Sequence, residues 1–225
     1  MVTIKKEAPV SGAYDVVVCG GGPSGFIGAI AAAREGAKVA LLERYGFLGG
    51  MATAGLVAPI SEFCYNGELV VGGIPWEFAK RLEAMGGATI EYPLGSVCFD
   101  PDAYKLLAQR MLLEAGVDLY LHAYLTDCVM DSGRVTHVVF EGKGGAKALE
   151  GRYFLDSTGD GDLSAMAGVP MQMFPAPTQP ASLCFCLGGV DAMSIPKIRH
   201  ELQGVNYHIE PLREGLLPLA ERGEI

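Results

Sequence analysis

Three glycines spaced as G-x-G-x-x-G, Gly20, Gly22 and Gly25, are followed at about the expected 20-residue interval by an acid, Glu43. Each type has a physical task. The first glycine permits a tight turn, the second lets a diphosphate approach the backbone, and the third lets a helix pack on a strand. An acid at the end of the second strand can accept hydrogen bonds from ribose hydroxyls. Together these residues can hold the adenosine diphosphate half of a dinucleotide. Glu43 would repel a ribose phosphate, an effect that Arg44 tempers. Because the chain has 31 glycines, the spacing alone is weak, and its surroundings must carry the reading.

Those surroundings agree. Val16 to Cys19 is an apolar run without polar alternation, as expected of a parallel strand buried on both faces. A helix follows at once, with Pro23 in its first turn, where a missing N–H costs little. Its free N–H groups and positive dipole end would face the diphosphate. Gly36 stands where a C-terminal cap is expected, and Lys38 to Leu42 reads as the next strand. After Glu43 the chain becomes small and glycine-rich, through Gly49, Gly50, Ala52, Thr53, Ala54 and Gly55. Beside a nucleotide turn this favours a segment running under the cofactor over an ordinary small-residue loop.

Further along, Asn66-Gly67 and Gly72-Gly73 are turn signals, and Trp76 to Met85 has helical spacing, with Trp76 as a packing residue. Asp100-Pro101-Asp102 starts a helix whose apolar stripe runs from Tyr104 to Ala115 and stops at Gly116. A strand is expected from Val117 to His122. Leu125–Met130, Val135–Glu141 and Ala148–Gly151 then suggest an antiparallel meander over about 124–151. Tyr153 to Leu155 returns to the sheet and enters a second glycine-and-acid turn, followed by a helical stretch from Leu163 to Ala167. Since ligands bind outside the carboxyl ends of such strands, the second turn should sit near the first.

The blocks GGGPSG, LLERYGFLGGMATAG and DSTGDGDLSAMAG resemble the FAD-dependent oxidoreductases whose FAD domain is of the glutathione-reductase type. The resemblance spans roughly residues 14–190. It implies an α/β fold: a Rossmann-like parallel sheet flanked by helices, an inserted antiparallel β-meander, and the start of a second α+β domain. It also implies non-covalent FAD. Gly20, Gly22, Pro23, Ser24 and Gly25 match the diphosphate turn, Glu43 the ribose acid, and Arg44 a position near the adenine. Gly49, Gly50, Met51 and Ala52 match the stretch along diphosphate and flavin. Val129 matches a position whose backbone meets the adenine edge, and Ser157, Thr158, Gly159 and Asp160 match the second turn. Asp160 reads equally well as a structural turn acid.

Proteins of this kind run to about twice the present length, and their C-terminal part completes the flavin site. The expected division is therefore an FAD-binding domain over 12–172 and an incomplete substrate or interaction domain over 173–225. Pro175, Pro177 and Pro180 mark the boundary, and 182–190 reads as a strand. The expected function is hydride transfer between a small organic substrate and flavin N5. The alternatives are an NAD-dependent dehydrogenase and a non-catalytic FAD-binding fragment or subunit of a split flavoenzyme.

No catalytic acid or base is legible. Tyr65, His122, His137, His200 and His208 are chemically able but read as surface or packing residues. No metal site is expected, because none of the four histidines has ligand spacing. All six cysteines read as reduced, the close pair Cys184 and Cys186 as core packing, and Cys64 as a weak redox candidate. A net charge of −9 argues against nucleic acid and anionic membranes as partners. Without a secretory signal or an apolar span, the expectation is a cytoplasmic protein. Its partners would be a small-molecule substrate and a second copy, or a chain carrying the missing C-terminal half.

Overall fold

The computed structural model describes Lys5, residues 7–172, residues 182–184, Pro218, Glu221 and Arg222. The strands are β1 (Val10–Cys19), β2 (Val39–Leu42), β3 (Cys64–Tyr65), β4 (Glu68–Leu69), β5 (Ala88–Glu91), β6 (Ser96–Phe99), β7 (Asp118–Tyr120), β8 (Tyr124–Asp131), β9 (Arg134–Gly142) and β10 (Gly145–Asp156). The helices are α1 (Pro23–Arg34), α2 (Gly73–Ala84), α3 (Pro101–Glu114) and α4 (Asp162–Met166). Six strands form one sheet in the order β7-β2-β1-β10-β9-β8. Its first four are mutually parallel, while β9 and β8 run antiparallel as the meander.

Alternation along β1 and β2 explains their uniformly apolar sequences. Val18, Val39 and Leu41 face a core built with α1, α2 and α3. Val17, Cys19, Ala40 and Leu42 face a second core, built with Val138 and Phe140 of β9, Leu149 of β10 and Leu163 of α4. Both faces are covered, so no position on these strands favours a polar residue. Each fully buried leucine or valine contributes about 1.5–3 kcal/mol. The α3 cap forms as its sequence requires, with Asp100 Oδ1 accepting from the backbone N–H groups of Asp102 (2.7 Å) and Ala103 (3.1 Å). From α3, Tyr104, Leu107, Ala108, Met111 and Leu112 enter the first core.

Several expected elements take other bounds. Ala148–Gly151 and Tyr153–Leu155 are one strand, which pairs with β9 over Gly145–Glu150 and with β1 along most of its length. Gly151 is no break: a Cβ there would lie 2.7 Å from the Phe154 ring and 3.0 Å from Val17, so the position demands absence of bulk. Helix α2 begins at Gly73 rather than Trp76, and the strand after α3 shortens to Asp118–Tyr120. Asn66-Gly67 does turn a hairpin, β3–β4. The hairpin β5–β6 has no counterpart in the sequence expectation; its strands are four residues each, too short to show a period. Trp76 packs on Phe63, with ring centroids 5.1 Å apart. Of the strand expected over 182–190 only residues 182–184 are described, and they carry no strand. The rest of the expected second domain, with Pro175, Pro177 and Pro180, lies outside the described residues. All elements named above belong to one unit, Met1–Cys184.

Candidate functional site

Strand register brings the carboxyl ends together. Leu42 and Asp156 flank Cys19 on either side, and Tyr120 lies beside Leu42. The chain therefore leaves the sheet at Gly20, Glu43, Leu121 and Ser157 along one edge, where open α/β sheets bind ligands. There a crevice of about 480 Å³ opens. Gly20, Gly22, Pro23, Ser24, Glu43, Arg44, Gly50, Met51, Ser157, Thr158, Gly159 and Asp160 line it, together with Leu42, Tyr45, Ala54, Gly55, Ala123, Tyr124, Leu125 and Asp162.

The three motif glycines differ in what requires them. Gly20 has φ +101°, and a Cβ on it would lie 2.2 Å from the Ser157 carbonyl oxygen. A Cβ on Gly25 would lie 1.9 Å from the Gly20 carbonyl oxygen. Protein atoms alone fix both. At Gly22 the nearest atom would be the Gly50 Cα, 3.9 Å away, so no described protein atom requires a glycine there. Gly22 is also the N-cap of α1, with no side-chain cap and no acid in the first turn. The first N–H groups of α1 thus have no side-chain cap and no acid within the helix's own first turn, which leaves them available to a phosphate.

Glu43 holds the first turn. It is buried, its Oε2 accepting from Gly21 N–H (2.7 Å) and its Oε1 from Tyr45 N–H (2.8 Å). A carboxylate has about four acceptor positions, so two remain for a ligand hydroxyl. Backbone bonds run from Glu43 N–H to Tyr120 O, His122 N–H to Tyr45 O and Ala123 N–H to Glu43 O. They bring Ala123, Tyr124 and Leu125 to the crevice, which Arg44 also lines. The Arg44 guanidinium lies 4.9 Å from the centroid of the Tyr45 ring, which stacks on Phe47. The small-residue segment is laced to the same turn. Gly49 N–H donates to Gly21 O, Thr53 Oγ1 donates to Leu48 O (2.7 Å), and Gly50–Ala52 forms a 3-10 turn.

The second turn hangs on Asp156, which the sequence reading passed over. Its Oδ1 accepts from Thr158 N–H (3.2 Å) and Thr158 Oγ1 (2.8 Å), its Oδ2 from Ser164 N–H and Ser164 Oγ (both 2.8 Å). Burial would raise this carboxyl, but the bonds from Ser164 and Thr158 outweigh it and hold it below the usual carboxylate range. The available signal was the pattern Asp156-Ser157-Thr158, an acid two residues before a hydroxyl at a strand end. Ser157 N–H donates to Cys19 O (2.8 Å), which sets the second turn against the first.

The other expected residues lie nearby with different duties. Gly25 sits beneath the turn, Gly49 behind it, and Ala52 in the buried layer. Val129 does not line the crevice. It stands opposite His137 in the middle of β8, four residues beyond Leu125 and thus about 13 Å along the strand. The meander reaches the crevice through Ala123, Tyr124 and Leu125 instead, because the chain enters β8 directly from the β7 edge. Gly21, absent from the sequence assignment, is crowded much as Gly20 is, a Cβ there meeting Leu48 at 2.5 Å.

Among the chemically able side chains, Tyr65 is exposed on the β3–β4 hairpin, His137 contacts Thr136 on β9, and His122 packs over Gly46. None lines the crevice, and His200 and His208 lie outside the described residues. Cys64 is buried, and burial pushes the Cys19 thiol up to about 12, so neither is a nucleophile as it stands. Among the described residues no group of three or more His, Cys, Asp or Glu could hold a metal, and no helix is long and apolar enough to cross a membrane.

Comparison with known proteins follows this geometry. A sequence model of the family described as FAD dependent oxidoreductase matches residues 15–216. Digeranylgeranylglycerophospholipid reductase 2 of Methanopyrus kandleri is 27% identical over 185 residues, covering 77% of this chain and 43% of the relative. The chain thus spans less than half the length of that relative. Among solved structures, Thermovibrio ammonificans THI4 superposes with a TM-score of 0.51 at 22% identity, over 68% of this chain and 61% of that one. A geranylgeranyl bacteriochlorophyll reductase-like protein from Thermoplasma acidophilum gives 0.51 at 16% identity, over 71% and 44%. At such identities the structural matches establish the fold.

Proposed function

The chain belongs to the FAD-dependent oxidoreductase family, and from that premise we propose that it binds FAD non-covalently. In this reading the loaded protein moves hydride between a small organic substrate and flavin N5. The observation that carries the cofactor half is the empty space over Gly22, at the N-terminus of α1 and facing Gly50. A diphosphate there would accept from the first N–H groups of α1, compensating for a chain whose net charge of −9 would otherwise repel it. The two free acceptor positions of Glu43 would take the ribose hydroxyls, with the Arg44–Tyr45 pair beside the adenine. Gly50, Met51, Ala54 and Gly55 would run beneath the ribityl chain and ring. Once bound, the flavin supplies the centre that accepts or releases hydride. The protein's share is to orient substrate against it and exclude water.

One observation favours a narrower reading. The chain spans 43% of its Methanopyrus relative, and among the described residues no histidine, cysteine or lysine lines the crevice, whose carboxylates are Glu43, Asp160 and Asp162. On that reading the chain holds the cofactor, and turnover requires a further segment or partner.

Gly22→Val tests the cofactor site. The extra methyls enter the ligand space and meet little protein, so FAD affinity should fall at least a hundredfold while the urea midpoint stays put. Flavin fluorescence and far-UV circular dichroism report the two. FAD affinity equal to that of the parent would remove the glycine turn from the site.

A further inference from the structure

Next to the crevice, and sharing Pro23, Ser24 and Met51 with it, lies a second cavity of about 410 Å³. Its walls come from α1 (Phe26, Ile27), the segment after the small-residue turn (Val57, Pro59, Ile60, Phe63), and α2 and α3. Apart from Ser24, at the edge shared with the crevice, the only lining residue with a polar side chain is Tyr104. Only 2% of the Tyr104 surface is exposed, its ring packing among Phe26, Phe78 and Phe99.

Its hydroxyl makes no hydrogen bond with any described residue, and burial alone raises its pKa, no partner contributing. Yet no fully buried side-chain polar atom lacks a partner among the described residues. The hydroxyl therefore keeps a sliver of accessible surface, and the cavity is what Tyr104 borders. A hydroxyl that reaches the edge of a cavity and bonds to no described side chain is free to donate to an acceptor placed there. A largely apolar cavity with one convergent polar group has the composition of a small-molecule site, and its volume falls in the usual range.

We propose that this cavity binds an apolar small molecule bearing a single carbonyl oxygen, which accepts a hydrogen bond from Tyr104. That this molecule is the substrate rests on the flavin reading, since the shared wall places the cavity beside the cofactor crevice. Tyr104 fixes the oxygen, and the apolar walls hold the hydrocarbon body, so selectivity runs against charged and multiply polar compounds.

Prodan, a naphthalene bearing one propionyl carbonyl, is a suitable probe because its emission reports both apolar surroundings and hydrogen bonding at the carbonyl. The 225-residue chain should bind it saturably. Tyr104→Phe should weaken binding five- to tenfold, the value of one neutral hydrogen bond, and move the bound emission further to the blue. It should not lower the melting temperature, because the hydroxyl it removes has no partner to lose. Val57→Trp, at a half-exposed rim position, should block binding by occupying the cavity while leaving the fold intact.

Equal prodan affinity and identical emission in parent and Tyr104→Phe would overturn the assigned hydrogen bond. Undiminished binding in Val57→Trp would remove the probe from this cavity and overturn the site. FAD is titrated separately in all three proteins, where its affinity should be unchanged. A parent that binds FAD but not prodan sinks the cavity alone, and one that binds prodan but not FAD sinks the cofactor reading alone.

Discussion

The two turns that close the crevice lie side by side and are built on opposite principles. The first, Gly20 to Gly25, is shaped by exclusion: Gly20, Gly21 and Gly25 each have a protein atom within 2.5 Å of where a Cβ would be. The second, Ser157 to Asp162, has positive-φ glycines, Gly159 and Gly161, but is shaped chiefly by attraction, four hydrogen bonds converging on Asp156. Each turn also has one carboxylate as its staple. Glu43 is buried and meets two backbone N–H groups, and Asp156 is half-buried and meets both backbone and hydroxyl donors. The lesson is that a turn fixed by sterics should fail abruptly on substitution, while one fixed by a carboxylate should fail gradually and with pH.

The largest effect is expected at Gly25. An added methyl would sit 1.9 Å from the Gly20 carbonyl oxygen and 3.1 Å from the Ser157 Cβ, and backbone cannot yield as a side-chain tip can. Gly25→Ala should cost about 3 kcal/mol, the upper end of ordinary overpacking, read as a fall in urea midpoint at unchanged slope. Both turns should loosen together, since Ser157 belongs to the second. A cost near zero would show that the helix slides to accommodate the methyl, and the contrast between the turns would dissolve.

Asp156 gives the intermediate effect and the pH dependence. Asp156→Asn keeps one acceptor oxygen for Thr158 but turns an amide donor toward the Ser164 N–H and hydroxyl, at a cost of about 1–2 kcal/mol. The folded-state pKa of Asp156 is depressed. Its stabilisation is therefore full above the unfolded-state value, about 3.9, and declines as pH falls from there through the lower folded value. Urea midpoints of parent and Asp156→Asn should differ clearly at pH 7 and converge below about pH 4. A difference that persists undiminished at low pH would mean that shape rather than charge holds the second turn.

This contrast also explains what was legible in the sequence. Exclusion leaves a glycine at each position it governs, so Gly20 and Gly25, with the flanking β1, α1 and β2, could be read directly, while Gly21, crowded as well, falls between the spaced positions of the motif. Attraction leaves only one aspartate among the three of DSTGDGD, marked by a hydroxyl two residues on, a spacing that Asp162 and Ser164 share. The contact from Ala123 to Leu125 was hidden for another reason. It depends on where β7 ends beside β2, a register set by tertiary pairing, which the resemblance rendered as Val129. Gly151 misled in the opposite direction: a glycine demanded by packing inside β10 has the same letter as one that ends a strand.

Asp160 yields the smallest effect and separates its two sequence readings. It is exposed, lines the crevice, and has no hydrogen-bond partner among the described residues, the stapling being done by Asp156. As a turn acid it would matter to stability, and as a ligand contact it would matter to affinity alone. Asp160→Asn should leave the urea midpoint within about 0.5 kcal/mol of the parent, as for other surface substitutions. FAD should bind about fivefold more weakly, the loss of one modest hydrogen bond. Titration of flavin fluorescence at moderate salt measures the second, salt being needed because removing a negative charge near a diphosphate pulls the other way. A lowered midpoint with unchanged FAD affinity would return Asp160 to the turn, and the second turn would then have two carboxylate staples to the first turn's one.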